Sequence, residues 1–118
     1  MPRILVVDGE IPLAQRCRSE LEQDGHDVHT IPDADAALGW LEANDADLVV
    51  LDLEVPGLKG RDLMTEILSH CRHTRIIVHT ARACYRDFGS WGADAFVMKT
   101  GDLAPLRATI SRLLRRAA

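Results

Sequence analysis

The chain has 118 residues, 47% of them hydrophobic, with 14 Lys and Arg against 18 Asp and Glu for a formal charge of -4. That length supports one folded domain with its own core and no second module. The acidic balance argues against direct nucleic-acid binding, which needs a basic stripe, and no apolar run reaches the length of a membrane span.

Met1-Pro2-Arg3-Ile4 leads straight into an apolar run with no secretory pattern, which reads as a cytoplasmic protein. Arg3 to Val7 predicts a first strand, and Leu13, Cys17 and Leu21 form a helical stripe behind it. Asp27 to Ile31 is the most polar strand candidate and therefore an expected edge. Asp33 is the expected N-cap of a second helix with Ala34, Ala37, Leu38 and Leu41 on its apolar face. Leu48 to Leu51 predicts a third strand, followed by a helix striped by Leu63, Met64, Ile67 and Leu68. A fourth strand is expected from Arg75 to His79. After it, Ala81, Cys84, Tyr85 and Phe88 keep helical spacing over about two turns before Gly89 and Gly92 end it. Ala95 to Met98 is the fifth strand. The last helix carries Leu106, Ile110, Leu113 and Leu114, opened by Asp102 as cap and Pro105 in its first turn.

Short continuous apolar runs alternating with helical periodicity are the pattern of an α/β fold, a doubly wound five-stranded parallel sheet with helices on both faces. Residues 1–118 read as one such domain. The three cysteines, Cys17, Cys71 and Cys84, are odd in number and unpaired in spacing, so they read as reduced thiols. His70, Cys71 and His73 lack a second ligand pair at zinc-like spacing.

Four polar residues follow the apolar runs directly: Asp8, Asp52, Thr80 and Lys99. In an open α/β sheet the carboxyl ends of the strands meet at one edge, so these residues converge although distant in sequence. The types suit phosphoryl chemistry: one carboxylate attacks phosphorus, a second holds a divalent cation, and a hydroxyl with an ammonium takes up charge on the phosphoryl oxygens. Each residue has a plainer reading as a strand-end turn or packing residue, and only the set is informative. His79 reads as a satisfied buried histidine or as a pH sensor beside Thr80, and Tyr85, Phe88 and Trp91 read as core packing or as a docking face.

With these residues, the chain resembles the receiver domain of two-component response regulators, the CheY-like superfamily, over essentially its full length. The motifs are Ile4-Leu5-Val6-Val7-Asp8 with Glu10, Leu51-Asp52-Leu53-Glu54-Val55-Pro56-Gly57 with Gly60, His79-Thr80-Ala81, and Gly92-Ala93-Asp94-Ala95-Phe96-Val97-Met98-Lys99. The resemblance implies a flavodoxin-like strand order 2-1-3-4-5. It also implies that Asp52 is the phosphoacceptor and that Asp8, Asp52 and the Glu54 backbone carbonyl bind Mg2+. Thr80 and Lys99 then contact the phosphoryl group, and Thr80 and Phe96 act as the switch. It implies a sensor histidine kinase or phosphotransfer protein as donor. A downstream protein, or a second copy of the chain, would bind the face made by the fourth and fifth helices.

The sequence departs from this pattern at three points. Gly9 stands where the family usually has the second of two acids, the direct metal ligand, which predicts weakened or absent Mg2+ binding unless Glu10 or the Glu54 side chain reaches in. A glycine demanded by a positive φ or by the close approach of another group is the plain alternative for that position. Thr100 follows Lys99 where the family usually has a cis-proline, so a trans bond and a re-routed loop are expected. The interval from Thr80 to Lys99 is about one helical turn short, on the side of the usual output face. Arg107, Arg112, Arg115 and Arg116 are candidates for docking an acidic partner, or simply cations near a helix carboxyl end.

Three rival functions remain. The first is a pseudo-receiver that binds partners without phosphorylation. The second is a small phosphatase built on Asp8-Gly9-Glu10, which lacks room for a cap. A flavin carrier is the third, and the first loop lacks the Ser, Thr and Gly donors it would need.

Overall fold

Five runs become the five strands of a single parallel sheet: the first, third and fourth are buried on both faces, while the second and fifth, at its edges, are only partly buried. The computed structural model describes residues 1–55, 60–70, 73–81 and 92–116. The elements in chain order are β1 (Arg3–Val7), α1 (Ile11–Gln23), β2 (Asp27–Ile31), α2 (Ala34–Ala43), β3 (Leu48–Leu51), α3 (Gly60–His70), β4 (Arg75–Thr80), β5 (Ala95–Met98) and α4 (Ala104–Arg116). The helix expected from Ala81 to Trp91 lies outside the described residues apart from Ala81. Pro56, Gly57, Cys71 and Cys84 lie outside them too, and with them the aromatic trio Tyr85, Phe88 and Trp91.

The strand order is β2-β1-β3-β4-β5, with every pairing parallel. β2, the most polar run, lies at an edge as expected. The β1–β3 register aligns Val7 with Leu51, so Asp8 and Asp52, one residue on, emerge side by side. The β4–β5 register aligns Thr80 with Met98 and places Lys99 just past the end of β4.

Alternation along the strands divides the core into two layers. Leu5, Val7, Val49, Leu51, Ile76 and Val78 face Ala37 and Leu41 of α2 and Leu63, Met64 and Ile67 of α3. Ile4, Val6, Leu48, Val50, Ile77 and Val97 face Cys17 and Leu21 of α1 and Leu106, Ile110 and Leu113 of α4. Each fully buried aliphatic side chain contributes roughly 1.5–3 kcal/mol relative to exposure, so the sheet is held from both sides. Leu68 departs from the expected stripe: it is 39% exposed, at the margin of a helix face centred on Leu63, Met64 and Ile67.

The helix starts follow local chemistry. Asp33 Oδ1 accepts from the Ala36 N–H at 2.8 Å, satisfying a free donor of the first turn of α2. Asp102 Oδ1 accepts from the Ala104 N–H at 3.0 Å where α4 begins. Glu10 occupies the N-cap of α1, yet its side chain makes no capping bond.

Candidate functional site

The carboxyl edge of the sheet assembles the polar residues that end the strands. Main-chain bonds fix the first two: the Asp8 N–H donates to the Ile31 carbonyl at 3.1 Å, and the Asp52 N–H donates to the Val7 carbonyl at 3.0 Å. On the other side, the Lys99 N–H donates to the Thr80 carbonyl at 3.0 Å, tying the end of β5 to that of β4. From there the Lys99 ammonium reaches Asp52 Oδ2 at 2.8 Å and Asp8 Oδ2 at 2.9 Å, with Glu10 Oε2 at 3.4 Å. The second oxygens of the two aspartates are held locally. Asp8 Oδ1 accepts from the Glu10 N–H at 2.8 Å, and Asp52 Oδ1 accepts from the Glu54 N–H at 3.0 Å.

Burial gives these charges their weight. The side chains of Lys99, Asp8 and Asp52 are 7%, 2% and 8% exposed, so their attraction is little screened. Burial lifts the Asp8 carboxyl above its ordinary value, against the opposing pull of the Glu10 N–H and Lys99. Burial alone would lower Lys99, but its bonds to Asp52 and Asp8 outweigh that cost and raise it above the usual lysine range. The ammonium therefore stays charged. An ordered cation beside two convergent carboxylates can stabilise charge on a transferred phosphoryl group.

The family model described as the response regulator receiver domain matches residues 4–111. The chain belongs to this family. Its curated relatives include the two-component response regulator PhoP of Pseudomonas aeruginosa, 35% identical over 98% of this receiver and 53% of that protein. The response regulator ArlR of Staphylococcus saprophyticus is 34% identical, again over 98% of the receiver and 54% of the relative. This receiver thus spans about half the length of the curated relatives it matches. Among solved structures, the response regulator TrrA of Thermotoga maritima in complex with Mg(2+)-BeF superposes with a TM-score of 0.88 at 35% identity, over 96% of this chain and 99% of that one. A CheY-like receiver from Methanospirillum hungatei reaches a TM-score of 0.93 at 24% identity, over 99% of this chain and 96% of that one, a likeness of fold.

Receiver domains generally bind Mg2+, and the donors around the Asp52 cleft fit that ion in kind. The cleft encloses about 280 Å³ and is lined by Gly9, Glu10, Asp52 and Glu54. These are hard oxygen donors, the type Mg2+ prefers. Among the described residues no three acidic, His or Cys side chains form a ready metal cage. An open site accords with an ion that keeps several waters and takes one or two carboxylates. The positive-φ reading of Gly9 is overturned: positive φ among the described glycines is confined to Gly25, Gly92 and Gly101. An aspartate at position 9 therefore meets no conformational objection from φ.

The remaining candidates are placed as follows. Thr80 is buried at the end of β4. Phe96 is half-buried against the layer of α2 and α3, and its register partner Val78 belongs to the same layer. Thr80, two residues beyond Val78, therefore lies on the sheet face that Phe96 occupies. His79 is buried as expected but not satisfied: its Nδ1 has no hydrogen-bond partner. Burial, with Lys99 nearby, lowers it to about 4, so it is neutral at pH 7. Thr100 follows a trans bond, since no described peptide is cis. Arg107 is engaged with Asp24 and Glu20, while Arg112 and Arg115 remain exposed.

The contacts of Glu10 with Lys99 and of Arg16 with Gly101 escape assignment from the sequence. The sequence offers Glu10 as a neighbour of Asp8 and a carboxylate for the metal site, but not as a partner of Lys99, which it meets across 89 positions. Arg16 donates from its guanidinium to the Gly101 carbonyl at 2.6 Å. Neither contact has a local sequence signal, because both partners meet only through the sheet order. Among the described residues no helix is long and apolar enough to cross a membrane.

Proposed function

We propose that this receiver accepts a phosphoryl group on Asp52 from a histidine kinase or phosphotransfer protein and passes the change to a partner surface. The observation that carries the reading is the buried Lys99 ammonium, held between Asp8 and Asp52 at the carboxyl edge of the sheet. An Asp52 oxygen forms the new P–O bond as the P–N bond to the donor imidazole breaks, and the imidazole keeps the bonding pair. The Glu54 N–H on Asp52 Oδ1 orients the carboxylate for this attack. Lys99 and the Thr80 hydroxyl then take up charge on the phosphoryl oxygens. Movement of Thr80 toward them frees space on the face it shares with Phe96, which links the chemistry to the surface beyond β5. Among relatives, TrrA is known in complex with the histidine kinase ThkA; at 36% identity over 97% of this chain and a TM-score of 0.87, it supports a kinase as donor.

Asp8, Asp52 and the Glu54 carbonyl are the groups that would hold Mg2+, with the Glu10 carboxylate at the cleft rim. When bound, the ion neutralises the charge that builds up between carboxylate and phosphoryl oxygens. Gly9→Asp is expected to tighten Mg2+ binding by about tenfold, measured by isothermal titration, because it adds one carboxylate ligand. Unchanged affinity would remove Gly9 as the cause of a weak site.

A second reading, the pseudo-receiver, draws on the same bridge: Lys99 already balances both aspartates, and Gly9 removes an acid that would otherwise call for a cation. Intact mass after incubation with a small acyl phosphate, with and without Mg2+, separates the two. Phosphoryl transfer predicts one added phosphoryl group on the wild type and none on Asp52→Asn. A wild type unmodified under every condition sinks it in favour of the binding module.

A further inference from the structure

Lys99 must hold its ammonium between two buried carboxylates from the start of a loop that leads to α4. The Lys99 N–H on the Thr80 carbonyl anchors it toward the sheet. Beyond Lys99 the path runs through Thr100, joined by a trans bond, and Gly101 at φ +85°, a residue with little conformational resistance of its own. The resembled family stiffens this junction with a proline, and this chain has none there.

Its tie comes from α1 instead. The Arg16 guanidinium donates to the Gly101 carbonyl at 2.6 Å, and its Nε donates to Glu20 Oε2 at 3.0 Å. Glu20 in turn accepts from Arg107 of α4 at 3.2 Å, and Arg107 forks onto Asp24 with bonds of 2.9 and 2.6 Å. The loop is thus bracketed by a chain of charged groups joining α1 to α4. The bond to Gly101 is charge-assisted and fixes the carbonyl two residues from Lys99.

We propose that Arg16 is a positioning residue for Lys99, clamping the loop after β5 so that the ammonium stays aligned on Asp8 and Asp52. The inference rests on the reading of Asp52 as phosphoacceptor. Arg16 touches neither Asp52 nor Lys99 in any described contact and acts through the Gly101 main chain. Its side chain is 49% exposed, so Arg16→Ala leaves no buried cavity.

The test measures the rate of Asp52 modification by a small acyl phosphate in the wild type, Arg16→Ala, Arg16→Lys, Lys99→Ala and the Arg16→Ala/Lys99→Ala pair. Arg16→Ala is expected to slow modification about tenfold, less than the roughly hundredfold that a 1 Å misplacement can cost. Arg16→Lys, which keeps one charged donor, should recover most of the rate. With Lys99 already removed, Arg16→Ala should change the rate by less than about twofold, since neighbours acting through one group are not additive. An equal slowing in the Lys99→Ala background, no loss in Arg16→Ala, or no recovery with lysine overturns the role.

Urea denaturation midpoints of the wild type, Arg16→Ala, Lys99→Ala and the double variant give a readout independent of phosphorylation. Non-additive midpoints are expected, and additive ones overturn the inference. A wild type that takes no phosphoryl group while the midpoints remain coupled overturns the reading of Asp52 alone.

Discussion

The two ends of this sheet carry the same kinds of ion pair and do opposite things with them. At the amino end Arg3 meets Asp27 at 3.3 Å and Arg75 meets Asp94 at 3.6 Å, each side chain 29–41% exposed. Asp47 and Asp94 there also accept main-chain N–H groups, of Arg3 and Ile76, and so finish the strand starts. At the carboxyl end Lys99 meets Asp8 and Asp52 with every partner less than a tenth exposed. Solvent screens the first set to a contribution of about 0–1 kcal/mol each, whereas a broken buried pair leaves an uncompensated charge costing about 3–5 kcal/mol. The larger opening, about 410 Å³ beside Asp47, Thr74 and Asp94, also lies at the amino end. Convergent buried charge, rather than cavity size, distinguishes the carboxyl end.

The sharpest way to break this contrast is Lys99→Ala. It is expected to destabilise the fold by about 3 kcal/mol or more at pH 7, measured by urea denaturation. Asp8 is already raised, so its ionisation costs stability as pH rises through that raised value. Removing Lys99 should enlarge the cost and make the variant relatively more stable in acid. A loss under 1 kcal/mol would put the two ends of the sheet on one footing.

His79 tests the carboxyl end of the sheet. Its folded value, about 4, is below the ordinary 6.5, so its contribution is present above pH 6.5 and lost as pH falls toward 4. The loss is expected to approach ~3 kcal/mol, with lowered His26 adding in the same direction. His79→Leu should flatten the decline in stability measured between pH 6.5 and 4. An unchanged decline would assign the acid sensitivity elsewhere.

Smaller effects belong to the amino end. Gly92 holds φ +96°, and a Cβ there would come 2.6 Å from Leu68 Cδ1, so Gly92→Ala should cost about 1–2 kcal/mol in thermal or urea unfolding. Arg75→Ala should cost less than about 1 kcal/mol, and that little should vanish in high salt. A large loss there would show that exposure alone does not separate the two ends.

Much of this was legible in the chain itself. Val6-Val7-Asp8 and Val50-Leu51-Asp52 announce buried strands that end in acids, because burial on both faces demands continuous apolar runs. Asp33 announces its cap because a capping bond spans three residues. Leu68 was misjudged because helical spacing ranks a stripe without showing how far the neighbouring surface extends over it. Gly9 was ambiguous because a missing side chain and a strained backbone leave the same letter.

Sequence by itself determined the strands, their order of appearance and the four residues that end them, since these depend on periodicity and on bonds between near neighbours. Only the tertiary structure decided that Lys99 bridges Asp8 and Asp52, that Glu10 joins them, that His79 Nδ1 is left without a partner and that Arg16 holds Gly101. The two Arg16 and Lys99 contacts with Gly101 and Asp52 join positions 85 and 47 apart. Partners so distant are chosen by sheet order and loop path, which no local pattern encodes.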